Sequence, residues 1–257
     1  MATYQNIKLN VEDRVARISL ARPPLNVFNI AMMRELAAAI QETANDEIVA
    51  IVFAADKETR AFSAGVAVEE HAQETVYQML DTFHSVFRTL ELVAKPTIAV
   101  VDGVAVGGGC ELVSACDIVI ASDRARFGQP EIKLGVFPPV ASIFLPLVIG
   151  EKRARELILT GDIIDSTEAA RLGLCNYVVP SNHLDQKLAE VLSKLRELSS
   201  SSLEFTRRAL DMARLRKLDQ SLKELENLYL HELMKSYDAN EGVKAFIEKR
   251  KPSWRNR

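Results

Sequence analysis

Two glutamates and a run of glycines are the residues of this sequence whose types and spacing could do chemistry. Gly107-Gly108-Gly109-Cys110-Glu111 lies inside the stretch from Thr97 to Asp117, which begins as a short apolar run, turns at Asp102-Gly103 and continues as a buried helix from about Cys110 to Cys116. Glycine has no Cβ, so a ligand can approach the backbone closely here. The first N–H groups of a helix also lack internal partners. An N–H aimed out of such a turn can hold a developing negative charge, helped by the helix dipole. Glu111 lies three residues beyond Gly108 and shares its helix face. A donor and a carboxylate facing one pocket suit reactions at the alpha or beta carbon of a carbonyl compound. A glycine run also lets a helix pack tightly on a strand, and a glutamate at a helix start also complements the dipole.

A second carboxyl, Glu131, follows in Ala125-Arg126-Phe127-Gly128-Gln129-Pro130-Glu131-Ile132, read as extended and interrupted by proline. Pro130, Ile132, Leu134 and Phe137 make its setting apolar, which raises a carboxyl pKa and suits a general acid. A surface glutamate in a loop is the alternative. In Arg60-Ala61-Phe62-Ser63-Ala64-Gly65-Val66, small residues around Gly65 leave backbone groups accessible; alone, the segment reads as a tight strand-to-helix turn. The glycine spacing does not fit a dinucleotide fingerprint, and no Gly-Lys-Ser/Thr ending marks a phosphate loop. His71, His84, His183 and His231 form no metal-ligand set, so no metal is expected, and each is read as a surface or satisfied histidine.

The elements that must position these groups follow from patterning. Tyr4 to Leu9 and Val15 to Leu20 read as strands joined at Glu12-Asp13-Arg14. Pro23 and Pro24 predict an extended path from Arg22 to Phe28. Asn29 is an N-cap for a helix to about Ala44, with Met33, Leu36, Ala37 and Ile40 as its apolar stripe. Ile48 to Ala54 and Ile118 to Ala121 are apolar runs typical of buried strands, with a helix from about Gln73 to Val93 between them. Further helices are expected over Val140 to Ile149 and Lys152 to Thr160, and another capped by Thr167 and ending at Gly173; Leu174 to Val179 is the last strand. This alternation predicts an α/β fold with mostly parallel strands. Beyond Leu184 the pattern is helical only, and Leu222, Leu225, Leu228 and Leu233 point to subunit packing.

Of the 257 residues 48% are hydrophobic and 26% charged, an ordinary globular balance. The net charge of -3 predicts no general affinity for nucleic acid. No apolar run reaches membrane-spanning length, and Met1 to Asn10 lacks the pattern of a signal peptide. Cys110, Cys116 and Cys175, an odd number in apolar contexts, point to a reducing compartment; a cytoplasmic protein is expected.

Together, Ala61-Phe62-Ser63-Ala64-Gly65-Val66, Gly107-Gly108-Gly109-Cys110-Glu111 and Phe127-Gly128-Gln129-Pro130-Glu131-Ile132 resemble the enoyl-CoA hydratase/isomerase (crotonase) family, as does the ending from Phe246 to Pro252. The resemblance implies a spiral ββα core over residues 1–183 and a C-terminal helical region over 184–257 that builds a homo-trimer or a dimer of trimers. It implies an acyl-CoA thioester as substrate, with coenzyme A part of that substrate and no separate cofactor. The N–H groups of Val66 and Gly108 would form an oxyanion hole for the thioester oxygen. Glu111 would activate the water that attacks the beta carbon, and Glu131 would exchange a proton with the alpha carbon. Leu25, Ala64 and Val68 would line the CoA channel, and Lys249 would touch CoA phosphates from an adjacent subunit. Ala67, Val104, Gly107, Pro130, Leu134, Pro139 and Phe246 complete the implied substrate contacts. A hydratase or isomerase is implied; a silent acyl-CoA-binding relative on the same scaffold would have no chemical need for both glutamates.

The sequence departs from the family pattern twice. The family's common Asp after the first oxyanion residue is Ala67, and the glycine-rich loop after the second glutamate is Pro138-Pro139-Val140-Ala141-Ser142. Proline fixes φ, and Phe137 and Val140 add apolar surface, so a rigid apolar acyl pocket is expected. A compact ring, a cyclic conjugated dienoyl thioester, is the acyl group that fits it.

Overall fold

Alternating apolar residues near the N-terminus give a hairpin of β1 (Ile7–Glu12) and β2 (Val15–Leu20), with Ile7 opposite Leu20. From β2 the pairing becomes parallel through β3 (Ala50–Ala55) and β4 (Thr97–Val101). It runs on through two further strands to complete a six-stranded sheet. The computed structural model describes residues 4–45, 47–212 and 218–253. The start of the Met1 to Asn10 segment, residues 213–217 of the expected C-terminal helical stretch and the last four residues lie outside them.

A smaller sheet runs alongside. Its strands are β5 (Val104–Val106), β7 (Arg126–Gly128) and β8 (Ile163–Asp165), and bridges at Ser63–Ala105 and Phe28–Val66 extend it backwards along the chain. The two remaining strands of the large sheet are β6 (Ile118–Ser122) and β9 (Tyr177–Val179). Successive turns of chain thus leave a strand in the large sheet, a strand or bridge in the small one, and then a helix. β3, residues 63–66 and α2 (Val76–Val93) make one such turn, after α1 (Ile30–Glu42). β4, β5 and α3 (Gly108–Ala115) make the next. β6, β7, α4 (Pro139–Ile149) and α5 (Glu151–Thr160) make the third.

The central strands β3, β4 and β6 of the large sheet are buried on both faces, as their continuous apolar runs require. Ile51, Phe53, Ala99, Val101, Val119 and Ala121 face the main core with α1 and α2. Val52, Ala54, Ile98, Val100 and Ile120 face the other way, under α7 (Leu184–Arg196), whose Leu184, Leu188, Val191 and Leu192 recur at helical spacing. No described strand follows α7; α8 (Ser200–Met212), α9 (Leu218–His231) and α10 (Tyr237–Ile247) end the fold. α9 and α10 return to the main core through Leu222, Tyr229 and Ala239.

Five expectations change. The segment from Arg22 to Phe28 is not extended: residues 23–26 form a turn, the Pro23–Pro24 peptide is cis, and Asn26 takes a positive φ of 50°. Asn26 tolerates that conformation, and its side chain accepts from Arg22 N–H at 2.9 Å. Pro130 opens a 3-10 turn (Pro130–Leu134) rather than continuing an extended path, because proline fits the first helical position. Asp165, not Thr167, caps α6 (Ser166–Leu172), accepting from Glu168 N–H at 2.9 Å. Leu222 is fully buried within its own chain and so is not free to pack on another subunit, while Leu228 stays exposed; α8 also exposes Phe205, Leu210 and Met212. His84 is neither at the surface nor satisfied: it is fully buried, with Nδ1 on Glu226 at 2.6 Å and Nε2 without a partner among the described residues. Among the described residues no helix is long and apolar enough to cross a membrane, and no cluster of His, Cys, Asp or Glu is arranged to hold a metal. Cys110, Cys116 and Cys175 are free thiols.

Candidate active site

Between β5 and α3 the chain turns at Gly107, where φ is +52°. A side chain there would be strained and obstructed, since its Cβ would stand 2.9 Å from Glu131 Oε1. Gly107 N–H donates to Gly128 C=O at 3.0 Å, and Gly107 C=O accepts from Glu111 N–H at 2.9 Å. In a trans peptide the N–H points opposite to the C=O, so the N–H of Gly108 points away from the helix it begins. A Cβ on Gly108 would meet Val66 Cγ2 at 2.9 Å and Phe83 Cζ at 3.1 Å; one on Gly109 would meet Ser63 C=O at 2.7 Å. Close packing and an open backbone are therefore both present, at adjacent residues.

Val66 is set by the same peptide geometry. Phe28 N–H donates to Gly65 C=O at 2.8 Å and Ala67 N–H donates to Phe28 C=O at 2.8 Å. The N–H of Val66 shares a peptide unit with the Gly65 carbonyl and so points away from Phe28. The two free peptide edges lie together: a Cβ built on Gly108 would be 3.4 Å from Val66 N. Asn26 and Ser63 hold this strap. Asn26 Nδ2 donates to Ala61 C=O and Phe62 C=O at 3.0 and 3.1 Å, while Ser63 Oγ donates to Asn26 C=O at 2.7 Å and accepts from Gly65 N–H at 3.1 Å. Both side chains are fully buried. Neither was singled out from sequence, because their partners are backbone groups up to 37 positions away.

Glu111 is 3% exposed, and its Oε1 accepts from Ala141 N–H at 2.9 Å. Ala141 lies in the first turn of α4, which opens with Pro138 and Pro139 and has no side-chain cap of its own. The glutamate thus supplies an acceptor for a helix start that lacks one. Burial raises its pKa to about 7 against the opposing pull of the Ala141 and Val140 N–H groups. Glu131 stands on the 3-10 turn, closed by Gly135 in the left-handed region. Its pKa rises well above the ordinary range, first through burial and then through the charge of Glu111. The fully buried Gln129 amide, nitrogen inward, donates to both Glu131 oxygens at 3.1 and 3.2 Å. Turned over, the same amide offers its oxygen to a protonated Glu131. A negative charge on Glu111 therefore favours the proton on Glu131.

A cavity of about 360 Å³ joins these groups. Of the residues expected to contact substrate, Ala64, Val66, Val68, Gly107, Gly108, Glu111, Pro130, Glu131, Leu134, Pro139 and Phe246 line it. Four do not. Leu25 is 41% exposed on the proline turn, with only its C=O reaching inward to Ala64 N–H. The Ala67 methyl is buried behind the strap, Val104 sits at the outer start of β5, and Lys249 is exposed beyond α10. His71, Met79, Leu80, Phe83, Lys133 and Tyr229 line the cavity without having been foreseen. Met79, Leu80 and Phe83 carry only the ordinary apolar pattern of α2, and Tyr229 lies 98 positions from Glu131 in sequence. Nothing local marks them.

Comparison with known proteins gives a consistent likeness. The enoyl-CoA hydratase/isomerase family matches residues 10–257. A protein of Mycobacterium bovis named as a probable enoyl-CoA hydratase is 38% identical over 259 residues, covering 99% of this chain and 100% of the relative. The cyclohexa-1,5-dienecarbonyl-CoA hydratase of Thauera aromatica is 37% identical over 249 residues, covering 97% of this chain and 96% of the relative. A crystal structure of an enoyl-CoA hydratase from Mycobacterium avium subsp. paratuberculosis superposes with a TM-score of 0.87 at 26% identity, covering 99% and 100% of the two chains.

Proposed function

The chain belongs to the enoyl-CoA hydratase/isomerase family, and on that premise we propose that it adds water across a conjugated enoyl- or dienoyl-CoA thioester, with a cyclohexa-1,5-diene-1-carbonyl group as the preferred acyl part. The fold is the crotonase-type ββα spiral, and the enzyme is a hydro-lyase of the enoyl-CoA hydratase type. One observation carries the proposed chemistry: a buried carboxyl, Glu111, and a half-buried one, Glu131, share one cavity with two outward-facing peptide N–H groups.

In the proposed step the thioester oxygen accepts from Val66 and Gly108 N–H. Glu111, ionised, takes a proton from water as the water oxygen bonds to the beta carbon. The electron pair of the double bond moves toward the thioester oxygen, where the two donors stabilise the enolate. Glu131, protonated, delivers its proton to the alpha carbon as the enolate collapses. The net change is the addition of one water and the transfer of one proton from Glu131 to Glu111, reversed through solvent before the next turnover. Backbone hydrogen bonds to Glu111 favour its ionised form, and the charge of Glu111 favours the protonated form of Glu131.

The preference for a ring rests on the acyl wall. Phe137, Pro138 and Pro139 line the cavity beside Glu131, where rigid apolar surface suits a rigid apolar group. The likeness to the Thauera aromatica enzyme supports the same reading. The likeness to the Mycobacterium bovis protein supports an enoyl-CoA thioester without a ring being specified. A cytoplasmic homo-trimer or dimer of trimers completes the proposal, with residues 184–257 as the assembly region; the exposed Phe205, Leu210 and Met212 of α8 support it. The test is kcat/KM for cyclohexa-1,5-diene-1-carbonyl-CoA beside crotonyl-CoA and a longer linear enoyl-CoA. A preference for the ring is expected, on the order of 10- to 200-fold for a shape difference of this size. A preference for either linear ester leaves the hydratase and removes the ring.

A further inference from the structure

The hydroxyl of Tyr229 is a buried donor in the proposed active cavity that no group among the described residues satisfies. Tyr229 stands on α9 and is 1% exposed, yet it lines the cavity with Glu111 and Glu131. Its Oη has no hydrogen-bond partner among the described residues. The ring is fixed from the side, packed edge-on against Phe137 with centroids 5.2 Å apart. Burial raises the phenol pKa, and the charges of Glu131 and then Glu111 raise it further, so the group is a neutral O–H throughout the working pH range. A buried hydroxyl without a partner is costly, and buried phenols ordinarily find one.

Its environment narrows what that partner can be. Both carboxyls act on the phenol electrostatically, but neither is hydrogen-bonded to it. The rest of the nearby wall, Phe137, Pro138 and Pro139, offers no side-chain acceptor. An unsubstituted enoyl group offers none either. In the proposed step the thioester oxygen is taken by the Val66 and Gly108 N–H groups, which leaves the oxygen added in hydration as the acceptor for this donor. We propose that the Tyr229 hydroxyl donates a hydrogen bond to the oxygen added in hydration, and so holds the product hydroxyl at the carbon that receives it. This rests on the hydratase reading above and adds a third group to its two carboxyls. The donor favours the state in which the C–O bond has formed, because the oxygen is then held in one place at the end of a covalent bond. Tyr229 forms no bond and transfers no proton; it orients.

Tyr229→Phe isolates the hydroxyl, since the ring and its packing on Phe137 remain. Inhibition constants for 3-hydroxybutyryl-CoA and butyryl-CoA are measured against initial-rate hydration of crotonyl-CoA, for the wild type and the variant. The variant is expected to bind 3-hydroxybutyryl-CoA roughly 2- to 10-fold more weakly, the effect of one neutral hydrogen bond. Binding of butyryl-CoA, which lacks the hydroxyl, is expected to be unchanged. The melting temperature is expected to hold or rise, because an unsatisfied buried hydroxyl has been removed. Equal weakening of both esters, or an unchanged ratio between them, overturns the inference while leaving the hydratase reading intact. A wild-type enzyme that hydrates none of the enoyl-CoA esters overturns both.

Discussion

Two walls of one cavity are made by different means. The wall around Val66, Gly107, Gly108 and Glu111 is made largely of backbone, fixed by ladder and helix hydrogen bonds within the spiral core. The facing wall of Phe137, Pro138, Pro139, Tyr229 and Phe246 is made of side chains drawn from α4, α9, α10 and the loop before α4. Peptide groups cannot be exchanged by substitution, so a wall made of them presents the same donors whatever the neighbouring side chains are. A wall of side chains changes shape with each one. The first is suited to the charge that every thioester hydration develops, the second to the acyl group that differs between substrates.

The comparison is broken most severely at the carboxyls. Glu131→Gln keeps the shape but removes the proton, and kcat is expected to fall about 10²- to 10⁴-fold with CoA-ester binding retained. Glu111→Gln is expected to match it, because the water loses its base; near-normal turnover by either variant in a steady-state assay removes that glutamate from the mechanism. Next comes Gly108→Val. Its side chain would enter space held by Val66 Cγ2 and Phe83 Cζ and displace the donor. A loss of roughly 10²- to 10³-fold in kcat is expected, the effect of one missing oxyanion donor, in a protein whose circular dichroism is unchanged. A variant that forms product at the native rate places the oxyanion hole elsewhere.

The carboxyl on the backbone wall also carries a stability signature. A carboxyl whose pKa is raised on folding holds its proton more tightly folded than unfolded. The stability it contributes is present below its ordinary value of 4.5 and lost as pH rises to about 7. Denaturant titrations are expected to show a fall over this window, on the order of 3 kcal/mol for Glu111. Glu111→Gln should lack that part of the slope and be the more stable protein at pH 8. An identical slope in the two proteins would mean that Glu111 titrates normally.

The smallest effect belongs to the side-chain wall. Pro139→Gly restores backbone freedom beside Glu131 and is expected to shift the ring-to-linear ratio of kcat/KM by about tenfold or less, without a matching loss on the better linear ester. A uniform fall on all esters would show that the proline serves the start of α4, and through it Glu111, rather than acyl choice.

Short-range pattern made much of this legible. The apolar runs in β3, β4 and β6, the Asn29 cap of α1 and the glycines before α3 are local signals with local causes, and the sequence alone determines them. Glu111 and Glu131 stand out in the same way, as carboxyls where apolar or small residues surround them. The short strands β5 and β8 did not, since three residues are too few for a period to show and pairing across the small sheet defines them. Asp165 rather than Thr167 caps α6 because β8 runs directly into the helix, which moves the boundary by two residues. Tertiary structure alone decided that Glu111 caps α4 through Ala141, that Asn26 and Ser63 brace the strap bearing Val66, and that Tyr229 closes the cavity. Each of these depends on a partner 30 or more positions away. A hydrophobic period reports which face of an element is buried, and only the packed chain fixes which distant group meets it.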